Sequence, residues 1–198
     1  MKFLIVGGFL GSGKTSFILH LARYLVQERG YQKVVILENE VGKVSVDDKL
    51  LESAGYQVQG IFAGCVCCTM AGELTVNVRK LQQDIDPDWI IMEATGMAFP
   101  GDIPENLDRY LDNPSQVTCL VDAKRWRKLS AAMPDLLVHQ LSGAHKVLVN
   151  KVDLVTPEDL QWIKESIAQF NGTASIETFS TLETIPQEIL ARIVDWEG

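Results

Sequence analysis

Gly8-Phe9-Leu10-Gly11-Ser12-Gly13-Lys14-Thr15 lies between a short apolar run, Phe3–Val6, and an amphipathic stretch, Thr15–Arg29. The octet fits G-x-x-x-x-G-K-[ST], a loop whose residue types each have a chemical reason. Glycines let successive backbone N–H groups turn inward on phosphate oxygens. Lys14 neutralises the β and γ oxygens, and the Thr15 hydroxyl ligates Mg²⁺. A buried strand before the loop and a helix after it separate this motif from an ordinary glycine-rich turn. Gly8, Gly11, Ser12, Gly13, Lys14, Thr15 and Ser16 are therefore the candidate phosphate contacts.

Outward from the loop, short apolar runs alternate with helical patterns. Phe3–Val6, Val34–Leu37, Trp89–Met92, Val117–Val121 and Val147–Val149 predict buried strands. Helices are expected over Thr15–Arg29, Glu73–Gln83, Pro134–Leu141 and Pro157–Phe170, with a last one from Pro186 to near Asp195. Thr156 is the expected N-cap of the fourth, with Pro157 in its first turn and Glu158 and Asp159 at the positive end of its dipole. Pro100–Pro104 is expected to be a loop. The alternation predicts an α/β fold: a P-loop NTPase three-layer sandwich with a mostly parallel central sheet and helices on both faces. All 198 residues are expected to form a single domain, with ligands beyond the carboxyl ends of the strands.

Asn150-Lys151-Val152-Asp153 follows the run Val147–Val149. A carboxylate at Asp153 can accept two hydrogen bonds from the N1–H and N2–H₂ edge of guanine. Adenine offers no such donor pair, so GTP is expected rather than ATP. The Lys151 stem can cover the base face, and Asn150 can tie this loop to the phosphate loop. Trp89–Met92 ends in Glu93-Ala94-Thr95-Gly96. Glu93 can hold Mg²⁺ through water, and the Gly96 N–H can meet the γ-phosphate. Lys14, Thr15 and Glu93 are the expected catalytic set. No glutamine stands where many GTPases orient the attacking water, so slow intrinsic turnover is expected.

Three of the four cysteines fall in Cys65-Val66-Cys67-Cys68, inside an irregular segment from Glu38 to Gly72. Thiolates select soft metals, Zn²⁺ or Cu(I), with Co²⁺ and Ni²⁺ possible. A closed zinc site wants four protein ligands, and the cluster offers two or three. Glu38 and Glu40, a second protomer or water could supply the remainder. Asp47 and Asp48 could reach the phosphate site from the same segment. His20, His139 and His145 are expected to be structural or solvated. A redox-active thiol pair and inert packing cysteines are the competing accounts of the cluster.

The formal net charge of −8 and the lack of a long basic run argue against nucleic acid. Lys124-Arg125-Trp126-Arg127-Lys128 is expected to be the solvated face of a helix. No stretch has the apolar length to cross a bilayer, and the N-terminus resembles a signal peptide for six residues only. A tight cysteine cluster is no disulfide framework, so the cytoplasm is the expected compartment.

Taken together, Gly8–Thr15, Glu38-Asn39-Glu40-Val41-Gly42, Gly64-Cys65-Val66-Cys67-Cys68, Glu93-Ala94-Thr95-Gly96 and Asn150-Lys151-x-Asp153 resemble the CobW, UreG and HypB class of P-loop GTPases, nearest its CobW-like branch. The resemblance implies GTP hydrolysis coupled to delivery of a transition metal, Zn²⁺ first and Co²⁺ or Ni²⁺ next, or to assembly of a metallocofactor. It implies Cys65, Cys67 and Cys68 with Glu38 as the metal site, Thr15 and Glu93 as the magnesium side, and Glu40 as a weaker addition. Its partners would be a client metalloprotein or cofactor-assembly protein, or a second copy of the chain. The alternative is a nucleotide-dependent docking module that remodels or protects a partner metalloenzyme, such as a cobalamin-dependent one, with structural cysteines. Two departures stand out. Lys43 replaces the acid that usually follows the Gly of the Asn-Glu-x-Gly segment, and the usual CobW second domain is expected to be missing.

Overall fold

The computed structural model describes residues 1–38, 57–58, 71–96, 100–108 and 115–196. Among the described residues seven strands form one sheet: β1 (Lys2–Gly8), β2 (Val34–Glu38), β3 (Gln57–Val58), β4 (Trp89–Glu93), β5 (Ser115–Asp122), β6 (Lys146–Asn150) and β7 (Ser175–Thr178). Their order is β3-β2-β4-β1-β5-β6-β7. Every described pairing is parallel, so all carboxyl ends share one edge. The helices are α1 (Lys14–Gln27), α2 (Ala71–Asp84), α3 (Asp102–Asp108), α4 (Ala123–Ala132), α5 (Pro134–Leu141), α6 (Pro157–Phe170) and α7 (Gln187–Val194).

Period-two alternation along β1 divides the core between the two faces of the sheet. Phe3 and Ile5 join Val78 and Leu81 of α2, together with Trp126 of α4, Leu137 of α5 and Ile163 of α6. Leu4 and Val6 face the other way, onto Phe17, Leu21 and Leu25 of α1 and onto Ile189 and Ile193 of α7. The central strands are therefore buried on both sides. That is why they read as unbroken apolar runs rather than alternating ones.

β1 sits between β4 and β5, with the chain crossing to β2 on one side and β5 on the other. The loop after β1 thus opens at the point where strand order reverses, the place where parallel α/β sheets bind ligands.

Helix ends follow the expected chemistry. Thr156 Oγ1 accepts from Asp159 N–H at 3.1 Å, and Pro157 occupies the first turn of α6. Asp122 caps α4 in the same way, accepting from Arg125 N–H at 3.1 Å.

Two expectations need correction, and one strand carried no expectation. Pro100–Pro104 is not simply a loop, because α3 starts at Asp102 and carries Pro104 in its first turn, where the missing N–H costs nothing. Lys124–Lys128 is not a wholly solvated face. Trp126 is fully buried and donates through Nε1 to Ser166 Oγ at 3.1 Å, joining α4 to α6. β7 has no apolar run to announce it; Ser-Ile-Glu-Thr is held by pairing to β6 at the sheet edge. Among the described residues, no helix is long and apolar enough to cross a membrane.

Candidate functional site

Between β1 and α1 the backbone takes positive φ at Gly8, Gly11 and Gly13 (129°, 77° and 100°). These values turn the loop back over the start of α1. Gly13 is the N-cap residue of α1 and itself offers no side chain to the first-turn amides. Lys14 is buried and folds over the loop, donating to the carbonyls of Gly8 at 3.1 Å and Phe9 at 3.4 Å. No described residue partners the buried Ser12 hydroxyl. Amide dipoles, a lysine and a spare hydroxyl converge in this cradle, a donor set suited to phosphate oxygens.

Glu93 at the end of β4 faces the loop. Thr15 Oγ1 donates to Glu93 Oε2 at 2.9 Å, and Lys14 Nζ stands 3.8 Å from Oε1. Two hard oxygen ligands thus meet beside the phosphate cradle, a donor set that fits Mg²⁺ rather than a soft metal. Gly96 follows, packed so closely on the phosphate loop that a Cβ there would lie 2.9 Å from Leu10 N. Its carbonyl accepts from Gln140 Nε2 of α5 at 3.3 Å.

At the other end of the cradle, Asn150 is fully buried and binds in several directions. Its Nδ2 donates to Ser12 O at 2.8 Å and to Thr181 Oγ1 at 3.2 Å. Its Oδ1 accepts from the N–H groups of Lys151 at 2.7 Å and Thr181 at 2.9 Å. Asn150 therefore fastens the segments on either side of it to the phosphate loop, as its position predicts. Lys151 adopts φ 64° and sends its ammonium to Gly11 O at 2.6 Å and Asp122 Oδ2 at 2.6 Å. Asp153 sits exposed in the 3₁₀ turn Val152–Leu154. Ser16 is exposed in the first turn of α1.

The strand ends and loops thus gather Gly8, Gly11–Ser16, Glu93, Gly96, Asn150, Lys151 and Asp153 along one edge of the sheet. Glu38 closes β2 and pairs in register with Glu93. Cys65, Cys67, Cys68, Glu40, Lys43, Asp47 and Asp48 lie outside the described residues. Two of the three histidines make structural contacts: His20 Nε2 contacts Thr181 O at 3.3 Å, and His145 Nδ1 accepts from Val117 N–H at 3.1 Å. Among the described residues, no group of three or more His, Cys, Asp or Glu could hold a metal.

Cys119 stands apart from the cluster. It lies in β5, wholly buried, and burial pushes its thiol up to about 12, with Lys14 pulling weakly the other way. Thiolate is the reactive form, and near pH 8 this residue stays protonated and shielded. In native protein Cys119 is expected to resist iodoacetamide and to react only after denaturation, a difference that peptide mass mapping reads directly. Labelling of Cys119 in the folded protein would contradict the packing of β5.

Sequence patterns passed over Asp122, Arg125, Thr181 and Gln140. Asp122 carried a usable signal, since it ends a buried run as Glu93 does. Arg125 was hidden among neighbours of its own sign, yet its Nη1 donates to Leu10 O at 2.9 Å. Thr181 follows a strand too polar to announce itself.

The family described as "CobW/HypB/UreG, nucleotide-binding domain" matches residues 2–178. The chain belongs to this family. Within the CobW/HypB/UreG family it is 31% identical over 190 residues to the zinc chaperone YjiA of Escherichia coli K12, covering 88% of this chain and 56% of that one. It is 29% identical over 229 residues to the zinc-regulated GTPase metalloprotein activator 1 of Dictyostelium discoideum, covering 94% and 47%. The chain therefore spans about half the length of these relatives. Among solved structures, HypB from Archaeoglobus fulgidus superposes with a TM-score of 0.71 at 19% identity, over 98% of this chain and 88% of that one. HypB from Helicobacter pylori in complex with nickel superposes at 0.67 with 18% identity, over 96% and 82%. At such identities these two structures speak to the fold, and it is the predicted P-loop NTPase three-layer sandwich.

Proposed function

We propose that this protein is a GTP-binding and GTP-hydrolysing metallochaperone module that couples nucleotide state to the binding and release of a transition metal, Zn²⁺ first and Co²⁺ or Ni²⁺ next. The observation that carries the coupling is the register of β2 and β4, which sets Glu38 beside Glu93 on adjacent strands. One carboxylate belongs to the proposed metal site and the other to the proposed magnesium side. A rearrangement at the γ-phosphate then acts on the strand end next to the metal ligands. The names of relatives such as YjiA support zinc as the first candidate.

In this mechanism Lys14 leaves the carbonyls of Gly8 and Phe9 for the β and γ oxygens, while the amides from Gly11 to Thr15 hold the phosphates. Thr15 and Glu93 would hold Mg²⁺, which when bound supplies charge neutralisation across the β and γ oxygens. Asp153 takes the guanine edge. With GTP in place, Glu38 and the thiolates of Cys65, Cys67 and Cys68 close on the metal; hydrolysis loosens them and the metal passes to a client metalloprotein. Turnover is slow and serves as a reset.

Titrating Zn²⁺, Co²⁺ and Ni²⁺ against protein loaded with a non-hydrolysable GTP analogue or with GDP tests the coupling. Metal affinity is expected to differ between the two states, and a swing from mostly bound to mostly released needs a difference of about 10⁴-fold. Equal affinities would sink it. Cys67→Ser is expected to weaken metal binding at least 10-fold with GDP affinity unchanged. Unchanged metal affinity in that variant would favour the docking-module alternative.

A further inference from the structure

Asp122 has no part in the mechanism above, yet it is a buried carboxylate at the sheet edge where the nucleotide is proposed to bind. It ends β5, and its Cα pairs in register with Asn150 of β6. Its two oxygens are divided between two elements. Oδ1 accepts from Arg125 N–H at 3.1 Å and so caps α4. Oδ2 accepts from Lys151 Nζ at 2.6 Å. The helix it caps carries Arg125, whose guanidinium reaches Leu10 O at 2.9 Å, while Lys151 reaches Gly11 O at 2.6 Å. One carboxylate therefore organises cations on two consecutive carbonyls of the phosphate loop.

The consequence for Lys151 is geometric. Its backbone belongs to the base-reading turn, and its ammonium is anchored on the phosphate loop. The four-carbon stem runs between the two, so where it lies depends on where the ammonium is held. Gly11 O alone is a neutral anchor. The carboxylate adds a bond in which both partners are charged, the stronger kind, and its own end is buried, with Asp122 4% and Lys151 30% exposed at the side chain.

We propose that Asp122 is a positioning residue for nucleotide binding, acting through Lys151. The proposal rests on the GTP-binding reading, and its test separates the two. Asp122→Ser keeps a side chain able to cap α4 but removes the charge that pins Lys151. Asp122→Asn has one acceptor oxygen for the cap and turns an N–H₂ toward the Lys151 ammonium, so it too removes the bond to Lys151. GDP affinity, read by displacement of a fluorescent guanine nucleotide, is expected to fall roughly 10- to 30-fold in both variants, as for loss of a hydrogen bond to a charged group. In a Lys151→Met background the same substitutions are expected to cost less than about 2-fold, because the partner they act through is gone. A residue that merely capped α4 would cost the same in both backgrounds, and that result overturns the proposal. So does wild-type GDP affinity in Asp122→Ser. Should the serine variant fail to fold, the asparagine variant carries the same cycle. A wild-type protein that bound neither GDP nor GTP would instead fail the GTP reading itself, before Asp122 came into question.

Discussion

Asp153→Asn is expected to exchange guanine for xanthine nucleotides. Guanine presents two donors side by side, N1–H and N2–H₂, and a carboxylate accepts both. An asparagine amide offers one acceptor and one donor, so its N–H₂ would oppose the guanine N2–H₂. Xanthine carries a carbonyl at position 2 and keeps N1–H, which restores both bonds. Losing a hydrogen bond to a charged group costs about 1.5–3 kcal/mol, so GTP affinity should fall roughly 10- to 100-fold while XTP affinity rises. Asp153 is exposed in its 3₁₀ turn, so no packing is disturbed. The turn itself is fixed from behind by buried Asn150. Competition of GTP and XTP against a labelled nucleotide gives the answer. If the variant kept full GTP affinity, guanine would not be read here, and the Asn150–Asp153 segment would be an ordinary strand–helix turn.

The sheet and the nucleotide edge were legible because their signals are local. A parallel strand buried on both faces is an apolar run, and each of the five predicted runs became one. The phosphate loop and the Asn150–Asp153 turn need fixed residue types at fixed spacing, which a sequence displays directly. Long-range contacts left weaker traces. Thr181 bonds Asn150 across 31 positions, and Arg125 reaches Leu10 across 115. Nothing near either residue in the chain announces its partner. Charge clustering misled in the same way: Lys124–Lys128 looks uniformly solvated, yet its members go three ways. Trp126 goes into the core, Arg125 onto the phosphate loop, and Arg127 onto Asp159 and the face of Trp162. The proposed thiolate site rests on chemistry alone: the ligand types of Cys65, Cys67 and Cys68, which lie outside the described residues, argue for a metal.

Gly13→Ala should abolish nucleotide binding, and the reason lies in two loops at once. Gly13 holds φ 100°, a conformation that costs an alanine about 1–2 kcal/mol. A methyl group there would also run into Asn150 Nδ2, the atom that bonds Ser12 O at 2.8 Å. Asn150 would have to withdraw, releasing Thr181 and the Lys151 backbone together with the phosphate loop. The phosphate cradle and the base turn should therefore fail together, with GDP affinity down by more than about 100-fold on loss of two or more such bonds. Melting of the nucleotide-free protein is expected to fall by more than about 4 °C, since about 1 kcal/mol shifts a domain of this size by 2–4 °C. Gly30 provides the control. It has φ 71°, but a methyl group on its Cα would meet nothing within 4 Å, and it lies beyond α1, away from the site. Gly30→Ala should carry the backbone strain alone, lowering the melting point by a few degrees and leaving GDP affinity unchanged. If both variants bound GDP equally well, close packing of Gly13 on Asn150 would not be what joins the base turn to the phosphate loop.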